Sequence, residues 1–351
     1  MNDPKDEVLR VSLDEIESVV APQATDTAIA TQSAVKSYGS IHEPAEPQIA
    51  AQERANFFLN AWVYLGLAGL AGALAGWGIA EPGFVDAQSV RHWGNLWMLP
   101  LIVTLMCAGF ALAESIVERS ARKAAIRIGI AIPLGIVLGF VFDFIANILF
   151  HIGIGIVAAA GVQTNHNPAF WIARGLAWAV FGAAGGVVYG IVGQSMKKTG
   201  YGAMGGAIGA ALGGVIFDPI SFATHGGAAS RAIGFGLLGL ATGVAMGLVE
   251  SALKDRWLYV TAGPLAGKQF ILYKPRTTMG SIQSSDIYLF KDPDILPEHA
   301  ALVQKAGRIH VVAQGPVYLG GQRISSSRLL ESGSILQVGR YSFRYQEKQR
   351  S

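Results

Sequence analysis

Apolar residues dominate one long part of the chain, residues 57–253, where glycine recurs and charged residues are few. A transmembrane helix needs roughly 20 apolar residues, because the hydrocarbon core of a bilayer is about 30 Å thick. Six runs of suitable length are separated by short polar or basic segments, so the pattern predicts a bundle of about six transmembrane helices. The predicted runs are 57–80, 93–116, 125–146, 170–194, 201–218 and 231–252.

After Asp255 the pattern changes to short β-branched and apolar runs that alternate with Gly, Pro and Ser. Regular short runs of this kind are typical of an all-β sandwich. We therefore expect three parts: a disordered acidic tail over 1–55, a glycine-rich transmembrane domain over 56–253 and a β-sandwich over 255–347. The predicted strands are 257–261, 269–273, 287–290, 300–305, 308–313, 317–319, 335–338 and 341–345.

Composition and charge agree with a membrane protein. Hydrophobic residues make up 51% of the chain and charged residues 15%, below the roughly 25% of an average soluble domain. The net charge of +3 is unevenly distributed, because residues 1–55 hold four basic and ten acidic residues. Much of the basic surplus elsewhere falls at predicted membrane boundaries, so we expect it to face membrane lipid and not nucleic acid. The single cysteine, Cys107, lies in a predicted span and allows no internal disulfide.

The basic residues also predict the orientation of the bundle. They cluster after the second, fourth and sixth runs, whereas the loops 81–92, 160–169 and 219–230 contain one basic residue, Arg91. The positive-inside rule then places both termini in the cytoplasm. We expect an integral protein of a bacterial-type inner membrane. The basic residues after these runs are Arg119, Arg122, Lys123, Arg127, Lys197, Lys198, Lys254 and Arg256.

Two patterns run through the predicted spans. Similar endings of alternate runs, such as Glu114-Ser115, Gln194-Ser195 and Glu250-Ser251, indicate three copies of a two-helix hairpin. Glycine rows at i, i+4 spacing predict helices that pack closely, because small residues let backbones approach in lipid. The alternatives are a pore lined by glycine backbone and association between chains into a homo-oligomer. The rows are Gly182-Gly186-Gly190, Gly205-Gly209-Gly213 and Gly239-Gly243-Gly247.

Charged residues within the spans are candidate sites, because an ionisable group is costly inside a membrane. Asp143 and Asp218 fall at predicted outer ends, where Arg174 and Arg231 begin the fourth and sixth helices. Acid–arginine pairing is the structural explanation for them, and transport or proton relay is the functional one. The candidate intramembrane charges are Asp143, Asp218, Arg174, Arg231, Glu114 and Glu250.

Four stretches near the C-terminus follow the pattern of a known family. They are 279–289, 296–300, 317–321 and 330–339. Their order and spacing resemble the glycine–arginine, serine–arginine–x–histidine, asparagine–glycine and leucine–x–x–glycine elements of forkhead-associated (FHA) domains. For residues 256–347 the resemblance implies a β-sandwich that reads phosphothreonine in protein partners such as substrates of Ser/Thr kinases.

This sequence departs from the family at most phosphate-binding positions. Ser281 stands where the family has its first arginine, Leu296 and Pro297 replace its serine and second arginine, and Gly315 replaces its asparagine. Arginine matters there because its planar fork binds phosphate through two hydrogen bonds. His299 is retained, and the resemblance implies that it holds a loop. The usual phosphothreonine site is therefore degenerate.

Five residues remain candidates for binding a partner or a phosphopeptide. Ser281, Ser284 and Ser285 carry hydroxyl donors in one predicted loop, and Arg276 or Arg323 would supply positive charge from neighbouring segments.

The sequence contains no pattern typical of an enzyme. The segment 263–268 lacks the spacing of a phosphate-binding Walker loop, and the histidines lack metal-ligand spacing. We expect no catalytic residue, metal or cofactor. The predicted function is a membrane-anchored adaptor or signalling protein whose FHA-like domain binds a protein partner in the cytoplasm, with or without phosphate. The alternative is a channel or transporter that its FHA-like domain regulates.

Overall fold

The structure, a computed structural model, describes residues 57–86, 92–161 and 167–348. The predicted disordered tail, 1–55, lies outside the described residues. Within them, six long apolar helices precede a sandwich of two β-sheets. The predicted fold class is confirmed.

Each of the six helices is long and apolar enough to cross a membrane. The third helix has 39 residues and extends well beyond the predicted run 125–146. Polar side chains after residue 142 interrupt the apolar pattern, but the helix continues through them. These side chains find hydrogen-bond partners in the helix's own backbone: Asn147 Nδ2 donates to the backbone oxygen of Asp143, and His151 Nδ1 lies 2.7 Å from Asn147 O. The helices are α1 (Ala61–Ala80), α2 (Trp93–Val117), α3 (Ala121–Ala159), α4 (Pro168–Val192), α5 (Met196–Ala223) and α6 (Gly227–Leu253).

The glycine rows lie where neighbouring helices touch. A Cβ atom added at Gly182 would stand 1.9 Å from the carbonyl oxygen of Gly206, and one at Gly186 would stand 2.0 Å from that of Gly202. Only glycine permits this approach of α4 to α5. The other two rows likewise face the backbone of an adjacent helix. Close dispersion contacts of this kind can hold helices together in lipid, where the hydrophobic effect between them is absent.

Ion pairs join helices at the far end of the bundle, away from the sandwich. Arg174 Nε lies 2.9 Å from Asp218 Oδ2, and Arg231 pairs with Glu81 at 2.6 Å. Asp143 differs from the expected acid–arginine pattern. Its carboxylate accepts a hydrogen bond from Asn147, and no arginine pairs with it among the described residues.

The sandwich follows α6 after two residues and contains eleven strands in its described part. One sheet has the order β2-β1-β11-β10-β7-β8, and the other has the order β4-β3-β5-β6-β9. The strands are β1 (Arg256–Ala262), β2 (Gln269–Ile271), β3 (Arg276–Gly280), β4 (Ile287–Tyr288), β5 (Ala300–Lys305), β6 (Arg308–Ala313), β7 (Val317–Leu319), β8 (Gln322–Ile324), β9 (Ser327–Leu329), β10 (Ile335–Val338) and β11 (Tyr341–Glu347).

Three of these strands, β3, β8 and β9, were not predicted. Strand β3 is mostly polar, so it lacks an apolar run although Met279 is fully buried. Strands β8 and β9 have three residues each and lie at sheet edges, where most of their side chains are exposed. The sandwich core contains large buried side chains from both sheets, including Leu258, Met279, Tyr341 and Phe343.

Candidate partner-binding site

Three loops meet at one end of the sandwich, which we call the loop end: residues 281–286, 291–299 and 314–316. Buried His299 holds two of them together. Its Nδ1 accepts a hydrogen bond from the backbone N–H of Leu296 at 3.0 Å, and its Nε2 lies 2.9 Å from the carbonyl oxygen of Pro316. The backbone oxygen of His299 also accepts from Gln314 and Gly315. These bonds fix the shape of the loop end.

The same histidine explains the glycine at position 315. A Cβ atom at Gly315 would lie 2.4 Å from the His299 ring. An asparagine, which the family resemblance implies at this position, would therefore displace the ring that joins the two loops.

The three candidate serines have different surroundings. Ser285 is buried, and its Oγ donates to the carbonyl oxygen of Pro297 at 3.3 Å, so its hydroxyl serves the fold. Ser281 is half-buried, and its backbone N–H donates to Leu296 O. Ser284 is exposed, as are the apolar side chains of Ile282 and Leu296, at 37% and 45%. The loop end thus presents one exposed serine hydroxyl and two apolar groups, and its second loop adds the exposed charged side chains of Lys291, Asp294 and Glu298.

No hydrogen bond joins either candidate arginine to these three serines among the residues that the structure describes. Arg276 begins β3, and the loop that follows this strand returns alongside it, because Asp286 Oδ2 accepts a hydrogen bond from the backbone N–H of Thr278 at 2.9 Å. Arg323 lies on β8, an edge strand of the other sheet, opposite Tyr318. Both arginines are exposed.

The turn between α2 and α3, residues 118–122, lies against the first loop of the loop end. Gln283 Oε1 accepts a hydrogen bond from the backbone N–H of Arg122 at 3.0 Å. Lys123 Nζ donates to the carbonyl oxygen of Asp286 at 3.0 Å, and the Arg119 guanidinium stands 5.3 Å from the centre of the Phe290 ring. The bundle therefore contacts the β4 edge of the sandwich through this α2–α3 turn.

Buried charges strengthen this junction. Glu118 pairs with Lys123 at 3.0 Å and with Lys268 of the sandwich at 3.4 Å, and the Glu118 and Lys268 side chains are only 6% and 4% exposed. Burial opposes ionisation of Glu118, but Lys268, Lys123 and Arg127 outweigh it and hold its pKa below the usual range. Burial also lowers the pKa of Lys268, and its carboxylate neighbours offset this only in part.

A second group of charges lies at the same end of the bundle, around a cavity of about 170 Å³. Glu114 accepts two hydrogen bonds from Lys198 Nζ, both at 2.9 Å. Glu250 accepts from the hydroxyls of Tyr189 and Tyr273, at 3.3 and 2.7 Å. The Tyr273 bond is a further link between bundle and sandwich. Of the candidate intramembrane charges, Glu114 and Glu250 thus lie at the sandwich end, whereas Arg174, Arg231 and Asp218 lie at the far end.

Glu118, Lys268 and Gln283 belong to no site that the sequence predicts. Glu118 and Lys268 are 150 positions apart in the chain, and neither belongs to a family motif. Arg119 and Arg122 enter the sequence prediction only through the charge that they give a loop. No group of three or more His, Cys, Asp or Glu in the described ranges is arranged to hold a metal.

Sequence comparison finds relatives for part of the chain only. An oxoglutarate dehydrogenase inhibitor of Corynebacterium diphtheriae is 35% identical over 88 residues, which are 24% of this chain and 59% of that protein. The protein of the same name from Corynebacterium efficiens is 34% identical over 88 residues, 24% of this chain and 60% of its own length. The chain thus spans less than two thirds of these curated relatives. No family model matches it.

Structure comparison finds FHA domains. The FHA domain of CT664 from Chlamydia trachomatis is 22% identical, with 27% of this chain and all of that one aligned and a TM-score of 0.25. The N-terminal FHA domain of S. cerevisiae Rad53p, solved with a phosphothreonine peptide, is 16% identical over 27% of this chain and 94% of its own, also with a TM-score of 0.25. The C-terminal sandwich resembles an FHA domain, as predicted, and this likeness is one of fold.

Proposed function

We propose that the protein is a non-enzymatic membrane-anchored adaptor whose FHA-like sandwich binds a protein partner at the loop end. The observation that carries the proposal is the loop end itself. Bonds through His299 hold its loops in place, yet Ile282, Ser284 and Leu296 are exposed to a partner. Rigid loops bind at a low entropic cost, because little conformational freedom is lost on association.

The membrane-anchoring part of the proposal rests on the six apolar helices and on the distribution of basic residues. Both termini and the sandwich are proposed to be cytoplasmic, and the membrane is proposed to be a bacterial inner membrane. Association of copies into a homo-oligomer stays a prediction, which light scattering of the purified protein would test.

The relatives support binding over catalysis. The corynebacterial proteins are named as inhibitors of an enzyme, which is a role carried out by protein binding. Their target is a property of those proteins, and the partner of this chain is left to experiment. The comparison therefore supports a protein-binding role for the part of the chain that it covers.

Site-specific cross-linking in cells tests the proposal. A photoreactive residue would replace Ser284 at the loop end and, as a matched control, Arg308, which is exposed at the opposite end of the sandwich at the start of β6. We expect discrete protein adducts from position 284 and none from position 308. Equal labelling at both positions would contradict a specific site at the loop end.

The alternative, a channel or transporter, is tested by flux through liposomes. Asp218 is paired with Arg174, and the glycine rows bring helix backbones into contact, so we expect no solute flux. If solute flux is observed and the Asp143→Asn or Asp218→Asn change abolishes it, an adaptor function alone does not describe the protein.

A further inference from the structure

Two arginines of the α2–α3 turn lie exposed beside the loop end. Arg119 and Arg122 flank Ser120, and no carboxylate lies within 4 Å of either guanidinium in the part of the chain that the structure describes. The Arg119 guanidinium packs on the ring of Phe290, which directs it along the sandwich. Both arginines therefore retain most of their hydrogen-bond donors.

The turn that carries them is held in place from both sides. Ser120 caps α3 by accepting a hydrogen bond from the backbone N–H of Lys123 at 3.3 Å, and Gln283 accepts from that of Arg122. Lys123 in turn bonds Glu118 and the carbonyl oxygen of Asp286. The positions of the two arginines relative to the loop 281–286 are thus set by the junction.

The loop beside them lacks positive charge of its own. The segment 281–290 contains no Lys or Arg, and Ser281 stands where an arginine is expected from the family pattern. The exposed hydroxyl of Ser284 is one neutral donor, and a single hydroxyl binds an anion weakly. Guanidinium groups form shorter and stronger hydrogen bonds to phosphate oxygens than neutral donors do.

We infer that Arg119 and Arg122 of the membrane domain complete an anion-binding site with Ser284 of the sandwich, and that this site takes a phosphorylated Ser or Thr segment of the protein partner. The inference rests on the proposed function and specifies its ligand. The arginines supply the positive charge that the loop 281–286 lacks, and Ile282 and Leu296 supply an apolar surface for residues next to the phosphate. The site is then divided between the two domains and requires that they be docked.

Phosphate groups of anionic lipids are the competing ligand, because the turn lies at a predicted membrane boundary. The packing of Arg119 on Phe290 favours the peptide, since it holds this arginine against the sandwich. The lipid is therefore an outcome of the test.

The experiment uses the full chain in nanodiscs of phosphatidylcholine. A degenerate library of phosphothreonine peptides and the same library without phosphate are compared for retention, and the best-retained peptide is then titrated. The test variant is R119Q/R122Q, and R308Q, which removes an exposed arginine at the opposite end of the sandwich, is the control. R276Q and R323Q test the two arginines predicted from the sequence. Hydrogen exchange of the segment 281–286 shows whether each variant keeps the junction.

We expect phosphate-dependent binding that weakens at least tenfold in R119Q/R122Q, the scale of one charge-assisted hydrogen bond, and that is unchanged in R308Q. The double variant R119K/R122K, which keeps the charge without the planar fork, should bind with intermediate affinity. Phosphate-dependent binding that survives R119Q/R122Q, or that R276Q or R323Q abolishes instead, would overturn the inference and leave the proposed function intact. Equal retention of both libraries would do the same.

Two further outcomes separate the inference from the proposed function. If nanodiscs of phosphatidylglycerol reduce wild-type binding to the level of R119Q/R122Q, lipid occupies the arginines and the inference fails. If wild-type protein retains neither library, the inference also fails, and cross-linking at Ser284 then decides the proposed function alone.

Discussion

The buried pair of Glu118 and Lys268 provides a direct test of how the bundle holds the sandwich. We expect the Glu118→Gln change to loosen the junction, because it removes the only carboxylate within 4 Å of Lys268 among the residues that the structure describes. Arg127 keeps Glu114 as a partner, and Lys123 keeps the carbonyl oxygen of Asp286. The loss therefore falls on the Lys268 ammonium, which is 4% exposed.

The expected size follows from this burial. Removing one partner of a buried ion pair costs about 3–5 kcal/mol, mainly because the other charge is left without compensation. Glu114 still attracts Lys268 from a longer distance, so we take the lower value. A cost of about 3 kcal/mol corresponds to roughly a hundredfold increase in the population of the undocked state.

Hydrogen exchange of the full chain in nanodiscs measures this population. The backbone N–H of Arg122 is a direct reporter, because its hydrogen bond to Gln283 exists only in the docked state. Its protection should fall by about the same factor of one hundred, whereas the amides of β10 in the sandwich core should exchange as before. Local opening of this kind can be measured separately from global unfolding.

The double variant Glu118→Leu/Lys268→Met is the matched control. It removes both charges and replaces them with apolar side chains, and such replacements of buried pairs are often neutral or stabilising. We expect it to recover most of the protection at Arg122. Unchanged exchange in Glu118→Gln, or a double variant as loose as the single one, would refute the view that this pair secures the junction.

Three shorter predictions concern other parts of the molecule. His299→Ala should destabilise the sandwich by roughly 1–3 kcal/mol, because the Leu296 N–H and the Pro316 carbonyl lose a part-buried hydrogen-bond partner. Thermal unfolding measures this, and an unchanged midpoint would contradict the role of His299 in joining the loops. Gly186→Ala should disrupt the packing of α4 on α5 and lower the yield of folded protein. Gly78→Ala should leave the yield unchanged, because a Cβ atom added at Gly78 meets no atom within 4 Å. Equal yields of the two variants would contradict backbone contact between α4 and α5. Because the pKa of Glu118 is lowered in the folded state, its contribution to the stability of the junction should be complete above the ordinary carboxyl pKa, near pH 4.5, and be lost as pH falls through the lowered value. Hydrogen exchange of the Arg122 amide, measured from pH 7 downwards and corrected for the intrinsic rate, should show loosening only in that acidic range. Loosening already at pH 6 would point to another group.

Several features follow from the sequence because they depend on local pattern. A membrane-spanning helix must be apolar over its own length, so the six runs show where the helices lie without reference to their neighbours. The sandwich is recognisable because its turn residues and buried strands recur in a family order. The far end of the bundle is also evident from the sequence, because Asp218 and Arg174 each lie at the boundary of an apolar run.

Other features are absent from the local pattern. Strand β3 is polar in sequence and becomes a strand through its pairing with β5. The glycine at 315 departs from the family pattern, and only the His299 ring beside it explains why no side chain fits there.

The candidate site shows the same division. From the sequence alone, the serines of one loop and the missing arginine at position 281 were evident, as was a basic loop after the second span. Only the tertiary structure placed that loop, through Gln283 and Lys268, against the sandwich. These two contacts join residues 161 and 150 positions apart. They depend on how two separately folded surfaces meet, and no periodicity along the chain encodes that meeting.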